Sequence, residues 1–191
     1  MAAVDDPEAL FRAAYAFVRQ AEGGFSDDPR DPGGPTQWGI TQAAYDGFRR
    51  RESRPPQPVT ALTEAEAEQY YRTQVWEPAH CALLPPALAI AHFDGAVHAG
   101  LGPALAILQR TLGVEADGRW GPVTARAVAA ARGDWTTLTA YLLERARHLA
   151  RVIGMAPTLG YAVPGWFNRL RALATAAGAY LTPEAAVTPP H

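Results

Sequence analysis

The chain of 191 residues has a single cysteine, Cys81, which excludes a disulfide within it. It has no long apolar run. The best candidates, such as Leu83–Ala91, carry prolines and fall short of a bilayer, so no membrane span is expected. Neither sign of charge dominates: 17 Lys and Arg against 19 Asp and Glu leave a net charge of -2. With no basic stretch to grip phosphates, a dedicated nucleic-acid binder is not expected. Long sheet-forming runs are missing, as are a glycine-rich phosphate loop with its lysine and a Gly-x-Ser-x-Gly elbow. The opening Met-Ala-Ala-Val-Asp-Asp-Pro-Glu has neither a basic segment nor an apolar one. No standard secretory signal is therefore expected, and work outside the cytoplasm would need another route. What the chain does have is 48% hydrophobic residues, alanine included, enough for a real core and too many for a disordered polymer. Its length fits one domain, or one domain with a small added lobe.

Apolar spacing predicts a mostly helical fold. Leu10, Ala14, Phe17 and Val18 share one face of a helix over about 7–21, with Asp6 as its cap and Pro7 at its first position. Residues 23–39 hold eight glycines and prolines, which reads as turns or a small irregular hairpin. Helices are predicted again over about 41–50, from Thr63 with a Thr63–Glu66 capping box, and over about 86–100. Further helices are expected at 103–112, 124–131, 135–153 and 164–177. The expected organisation is a region at 7–100 that carries the chemistry, a helical region at 101–180 and a flexible tail at 181–191.

Function points to the glycine-dense segment, because chemistry favours loops held by rigid elements. Glu22 ends the first helix and directly precedes Gly23-Gly24-Phe25. Its carboxyl would be fixed at a helix end, with glycines clearing space beside it. An apolar wall of Phe25 or Trp38 would suit a general acid working near neutral pH. Otherwise Glu22 is simply a solvated helix-end residue. Asp31 follows nine positions later, in Asp31-Pro32-Gly33-Gly34. Two carboxylates across a reversing hairpin can flank one bond, one donating a proton while the other activates water. The competing role for Asp31 is a turn cap. Thr36 offers a hydroxyl that could hold the attacking water, and Thr41 one that could cap the next helix.

Aromatic residues crowd the same stretch. Phe25, Trp38 and Tyr45 flank it, and Tyr70, Tyr71 and Trp76 follow. Sugar rings stack their C–H faces on aromatics, so a groove lined this way would suit a polysaccharide; ordinary core packing claims some of these side chains instead. Trp135 and Trp166 read as helix-packing residues. Asp94 interrupts the apolar 88–97 stretch and, if buried, needs an ion-pair or cap partner. Metal sites are not expected. Pro29 breaks the Asp27, Asp28 and Asp31 cluster, which lacks calcium-loop spacing. His92 and His98 would point about 120° apart on a helix. Cys81 reads as buried or incidental.

Glu22-Gly23-Gly24-Phe25, Asp31-Pro32-Gly33-Gly34-Pro35-Thr36 and Gly39-Ile40-Thr41 together resemble the signature of glycoside hydrolase family 108, lysozyme-like N-acetylmuramidases of phages and bacteria. The resemblance continues through Tyr71-Arg72, Trp76, Phe93-Asp94, Leu108-Gln109, Asp117-Gly118, Gly121-Pro122-Val123-Thr124, Gly165-Trp166 and Asn168-Arg169, covering roughly 11–176. It implies a lysozyme-like fold with a small irregular β-hairpin, and hydrolysis of the β-1,4 bonds between N-acetylmuramic acid and N-acetylglucosamine in peptidoglycan. The family's catalytic acid falls on Glu22. Asp31 matches the aspartate of the wider phage-lysozyme pattern, and Thr36 stands one position early for its threonine. Substrate contacts are expected at Phe25, Gln37, Trp38, Tyr45, Asp94 and His98. The family usually has Tyr at Phe25, and commonly Asn at Gln37 and His98. The 101–180 region resembles a peptidoglycan-binding module; the alternative is that it simply completes the groove and the core. The alternatives are a lytic transglycosylase using Glu22 and a wall-binding protein without turnover. No cofactor is expected. The expected partners are peptidoglycan glycan strands and a holin or dedicated export system, with the chain monomeric, made in the cytoplasm and acting on the wall after release or export.

Overall fold

The computed structural model describes residues 6–27 and 34–181. Helix α1 spans Pro7–Glu22, with the Asp6 carboxylate accepting from the Glu8 N–H and Pro7 in the first turn. It ends at Gly23, whose φ of 71° stops the helix at little cost. Three two-residue strands follow: β1 Phe25–Ser26, β2 Thr36–Gln37 and β3 Ile40–Thr41. They form an antiparallel sheet in chain order, pairing Phe25 with Gln37 and Gln37 with Ile40. Trp38 and Gly39, at φ 53° and 78°, turn β2 into β3. Positive φ at both positions is what a two-residue type I′ hairpin needs. A tryptophan rarely accepts it, and such a strained residue is characteristic of a functional site.

Thr41 caps α2 (Gln42–Arg51), and the predicted Thr63–Glu66 capping box opens α3 (Glu64–Tyr71). A turn of π-helix, Arg72–Trp76, prolongs α3. Helix α4 (Pro86–Ala99) is buried on every side from Ala87 to Ala96, the mark of a central helix. It packs against α1, α5 (Leu101–Thr111), α7 (Trp135–Met155) and α8 (Val163–Gly178). Helix α6 (Pro122–Ala129) completes the set. The fold is predominantly helical with a small antiparallel sheet near the N-terminus, as expected.

One hydrophobic core runs from Leu10 to Ala177. At its centre Phe11, Trp76 and Phe93 meet edge to face, with Trp76 and Phe93 5.4 Å apart. Such pairs add to plain area burial. Cys81 is fully buried, as expected. Trp135 is not the packing residue its type suggests: it is 54% exposed at the first turn of α7. Of the expected tail, only Leu181 lies within the described residues.

Candidate active site around Glu22

Glu22 is the last residue of α1 and is half-buried. Its Oε1 makes an ion pair of 2.7 Å with Arg169 Nη1 of α8. Its other side faces the β2–β3 turn. A Cβ on Gly39 would lie 2.7 Å from both Glu22 Oε2 and the Tyr71 hydroxyl. Tyr71, which is buried, donates that hydroxyl to the Trp38 carbonyl at 2.7 Å and so pins the turn. Burial, and then the Glu22 charge, push the Tyr71 phenol well above its usual range, so it stays protonated. The glycine that clears space for Glu22 is thus Gly39. A Cβ on Gly23 or Gly24 would meet nothing within 4 Å.

Behind Arg169 the charges continue into the protein. Its Nε donates to Asp94 Oδ1 at 2.8 Å, and Arg145 donates to Asp94 Oδ2. Asp94 is completely buried and Arg145 2% exposed. The carboxylate that breaks the apolar 88–97 stretch therefore has the partners its burial demands. Burial works against the charge of Arg169, but Asp94 and Glu22 outweigh it and hold the guanidinium above its ordinary value. His98 Nδ1 lies 3.4 Å from Arg145 Nη2, and its ring meets Trp166 edge-on. Burial, reinforced by Arg169 and Arg145, lowers the His98 pKa to about 4, leaving a neutral imidazole at pH 7.

The other expected residues separate into three groups. Phe25 is 52% exposed on β1, and Gln37 and Trp38 are half-buried on the sheet and its turn. The Trp38 ring lies under the Arg19 guanidinium at 4.1 Å. Thr36 donates its hydroxyl to the Gly34 carbonyl at 3.0 Å, leaving its lone pairs to accept. Asp31 lies outside the described residues. Tyr45 and Asp94, expected to touch substrate, are both sealed in the interior. Tyr45 is held by Glu66 at 2.9 Å and Arg49 at 3.2 Å, so its amphipathic ring serves the core. Asp94 meets Arg145 and Arg169 instead of solvent. The ionic neighbour of Glu22 among the described residues is the Arg169 guanidinium. Arg169 and Gly39 stood in the family-like motifs without a role. An unpaired Asp94 was the one sign of a distant arginine, and spacing could not say which.

Arg169 lines a cleft between α1 and α8, with Phe17, Gln20, Ala21 and Asn168. Gly39 lines another with Tyr70, Gln74, Val97 and Leu101. Glu22 thus neighbours one lining residue of each cleft.

The family model described as Glycosyl hydrolase 108 matches residues 15–100, and one described as Predicted Peptidoglycan domain matches 103–171. The solved structure of Brucella abortus SagA is similar at 31% identity and a TM-score of 0.76, over 93% of this chain and 99% of that one. The chain belongs to glycosyl hydrolase family 108. A comparison with curated proteins gave no match. Broadly, this family member is a peptidoglycan-hydrolase-like protein, a glycosyl hydrolase region followed by a peptidoglycan domain. Among the described residues no helix is long and apolar enough to cross a membrane.

Proposed function

We propose that this family 108 protein is an N-acetylmuramidase, cleaving the β-1,4 bond between N-acetylmuramic acid and N-acetylglucosamine with Glu22 as general acid. The observation that carries the reading is the seat of Glu22. It is a half-buried carboxyl on a helix end, held between a backbone turn and an arginine, and each of those two neighbours lines a cleft. A glycan strand crossing from one cleft to the other would pass its glycosidic oxygen over Glu22. Phe25 offers an exposed ring for a sugar face, and Gln37 an amide beside it. Asp31 takes the role of base or water-positioning group, with Thr36 accepting a hydrogen bond from the water. An inverting reaction would place the two carboxyls about 6.5–9.5 Å apart and a retaining one about 5 Å.

Purified peptidoglycan, digested and read by mass spectrometry, tests this. Reducing N-acetylmuramic acid ends are expected. Anhydro-muramic ends would make the protein a lytic transglycosylase, and reducing N-acetylglucosamine would move the cleaved bond. Wall binding with no released fragment would leave a non-catalytic wall protein. Asp31→Asn, combined with product-anomer analysis by NMR, is expected to lose most activity at an unchanged Tm. Loss of activity explained by a lowered Tm would make Asp31 a turn residue. We also propose that the protein reaches the wall through a holin or a dedicated export system. Fractionation of cells with and without a holin should move it from the cytoplasm to the wall.

A further inference from the structure

Glu22 occupies the negative end of the α1 dipole, a poor place for an anion. The basic residue in that last turn, Arg19, is engaged elsewhere: it pairs with Glu64 at 2.9 Å and covers Trp38. The compensating charge is Arg169, brought from α8. Its position is set from behind. Nε is fixed on Asp94, which is sealed and cannot swing, and a planar guanidinium held at Nε has its Nη atoms placed as well. Arg145 occupies the other Asp94 oxygen, so two arginines share one carboxylate and Arg169 keeps charge to spend on Glu22. Arg169 Nη2 is buried without a hydrogen-bond partner among the described residues. The guanidinium is therefore seated for its two carboxylates and not for its own satisfaction.

The chain of charges also crosses between the two family matches. Glu22 and Asp94 lie within 15–100, Arg145 and Arg169 within 103–171. We propose that Arg169 is the positioning residue of Glu22, so that the region matched as a peptidoglycan domain completes the active site. The proposal rests on the muramidase reading of Glu22. Arg169 clamps one face of the carboxyl while Gly39 limits the other, which holds the acid in one rotamer. The charged and titratable groups that face Glu22 are Tyr71 from α3 and Arg169 from α8. Asp94 and His98 of α4 and Arg145 of α7 stand behind Arg169.

The test compares the full-length wild type, Arg169→Gln and Arg169→Lys. The Glu22 side chain is followed by carbon-13 NMR at constant pH, its carboxyl signal assigned by its loss in Glu22→Gln. Arg169→Gln should release the side chain from its single rotamer, read as averaged side-chain couplings, and Arg169→Lys should restore much of the wild-type pattern. In turnover, Arg169→Gln should lose at least about 10-fold in kcat with KM nearly unchanged. A Glu22 side chain that keeps its rotamer in Arg169→Gln overturns the proposal whether or not the protein cleaves glycan. So does a kcat loss that tracks a fall in Tm and is not relieved by lysine. A rotamer released in Arg169→Gln, with a wild type that frees no fragment, would support the clamp and overturn the muramidase reading alone.

Discussion

Glu66 and Glu22 are both half-buried carboxylates with an arginine at 2.6–2.7 Å, yet they are built to opposite ends. Glu66 has both oxygens occupied. Arg49 and Arg54 hold Oε1, while Tyr45 and the Thr63 backbone and hydroxyl hold Oε2. Although burial opposes it, these donors, Tyr45 first, hold the Glu66 carboxyl below its usual range. These contacts close the α3 cap and tie the helix to α2 and to Arg54. Among the described residues Glu22 has one ionic partner and a glycine where a side chain would collide, and each of the two lines a cleft. A carboxylate saturated with donors locks structure. One held by a single cation against a glycine turn keeps acceptor capacity unspent.

The largest expected effect separates the two outright. Glu22→Gln should lose at least about 100-fold in kcat, far beyond what loss of the Arg169 ion pair costs in Tm, because it removes a proton donor at nearly constant volume. Circular dichroism melting and fragment release read both quantities; near-wild-type turnover would end the assignment. Gly39→Ala comes next. Its φ of 78° strains any L side chain, and its Cβ would strike Glu22 and Tyr71. Displacing the acid in this way should cost on the order of 10- to 100-fold in kcat, with some loss of Tm. Equal kcat in Gly39→Ala would mean that the turn does not seat Glu22.

Glu66→Gln should behave in the reverse sense. Breaking the pair with Arg49, only 9% exposed, should cost about 3 kcal/mol and roughly 10 °C in Tm. Turnover per folded molecule should be kept, and a specific fall in kcat would erase the distinction. Acid should then find the two networks at different pH. Burial lowers the pKa of His92, as of His98, to about 4 from 6.5. The unfolded chain therefore binds more protons between those values. Stability is complete above about 6.5 and falls as the pH drops toward 4. The Glu66 contribution, from a depressed carboxyl, is lost only below the ordinary carboxylate range. Tm measured against pH should show a first decline between 6.5 and 4, and His98→Asn should reduce it. Tyr45→Phe is the smallest change: about 1–2 kcal/mol of stability from the lost hydroxyl bonds, and no change in kcat or KM. A raised KM would return Tyr45 to the substrate.

Much of the fold was legible because its signals are local. Asp6 and Pro7, Thr41, and the Thr63–Glu66 pair start helices through contacts within a few residues, and each does so in the structure. The apolar spacing of Leu10, Ala14 and Val18 needed only the period of a helix to place them in the core. The glycines and prolines of 23–39 pointed to turns or a small irregular hairpin, and two-residue strands joined by a turn at Trp38-Gly39 are found there. The Glu22 motif marked the candidate site for the same reason, as a short pattern at a helix end. What the sequence could not rank was burial among side chains of like chemistry. Tyr45 and Phe25 are both aromatics flanking the site, but one is sealed and the other is 52% exposed. Nor could it pair charges across distance. The partners Glu22–Arg169 and Asp94–Arg145 are brought together when α7 and α8 pack on α4, and no local rule reaches from residue 22 to residue 169. Local chemistry alone determined the helices, their caps and the place of the candidate acid. Tertiary packing decided what touches that acid, because a carboxylate's neighbours are set by how separate helices dock and not by the residues beside it in the chain.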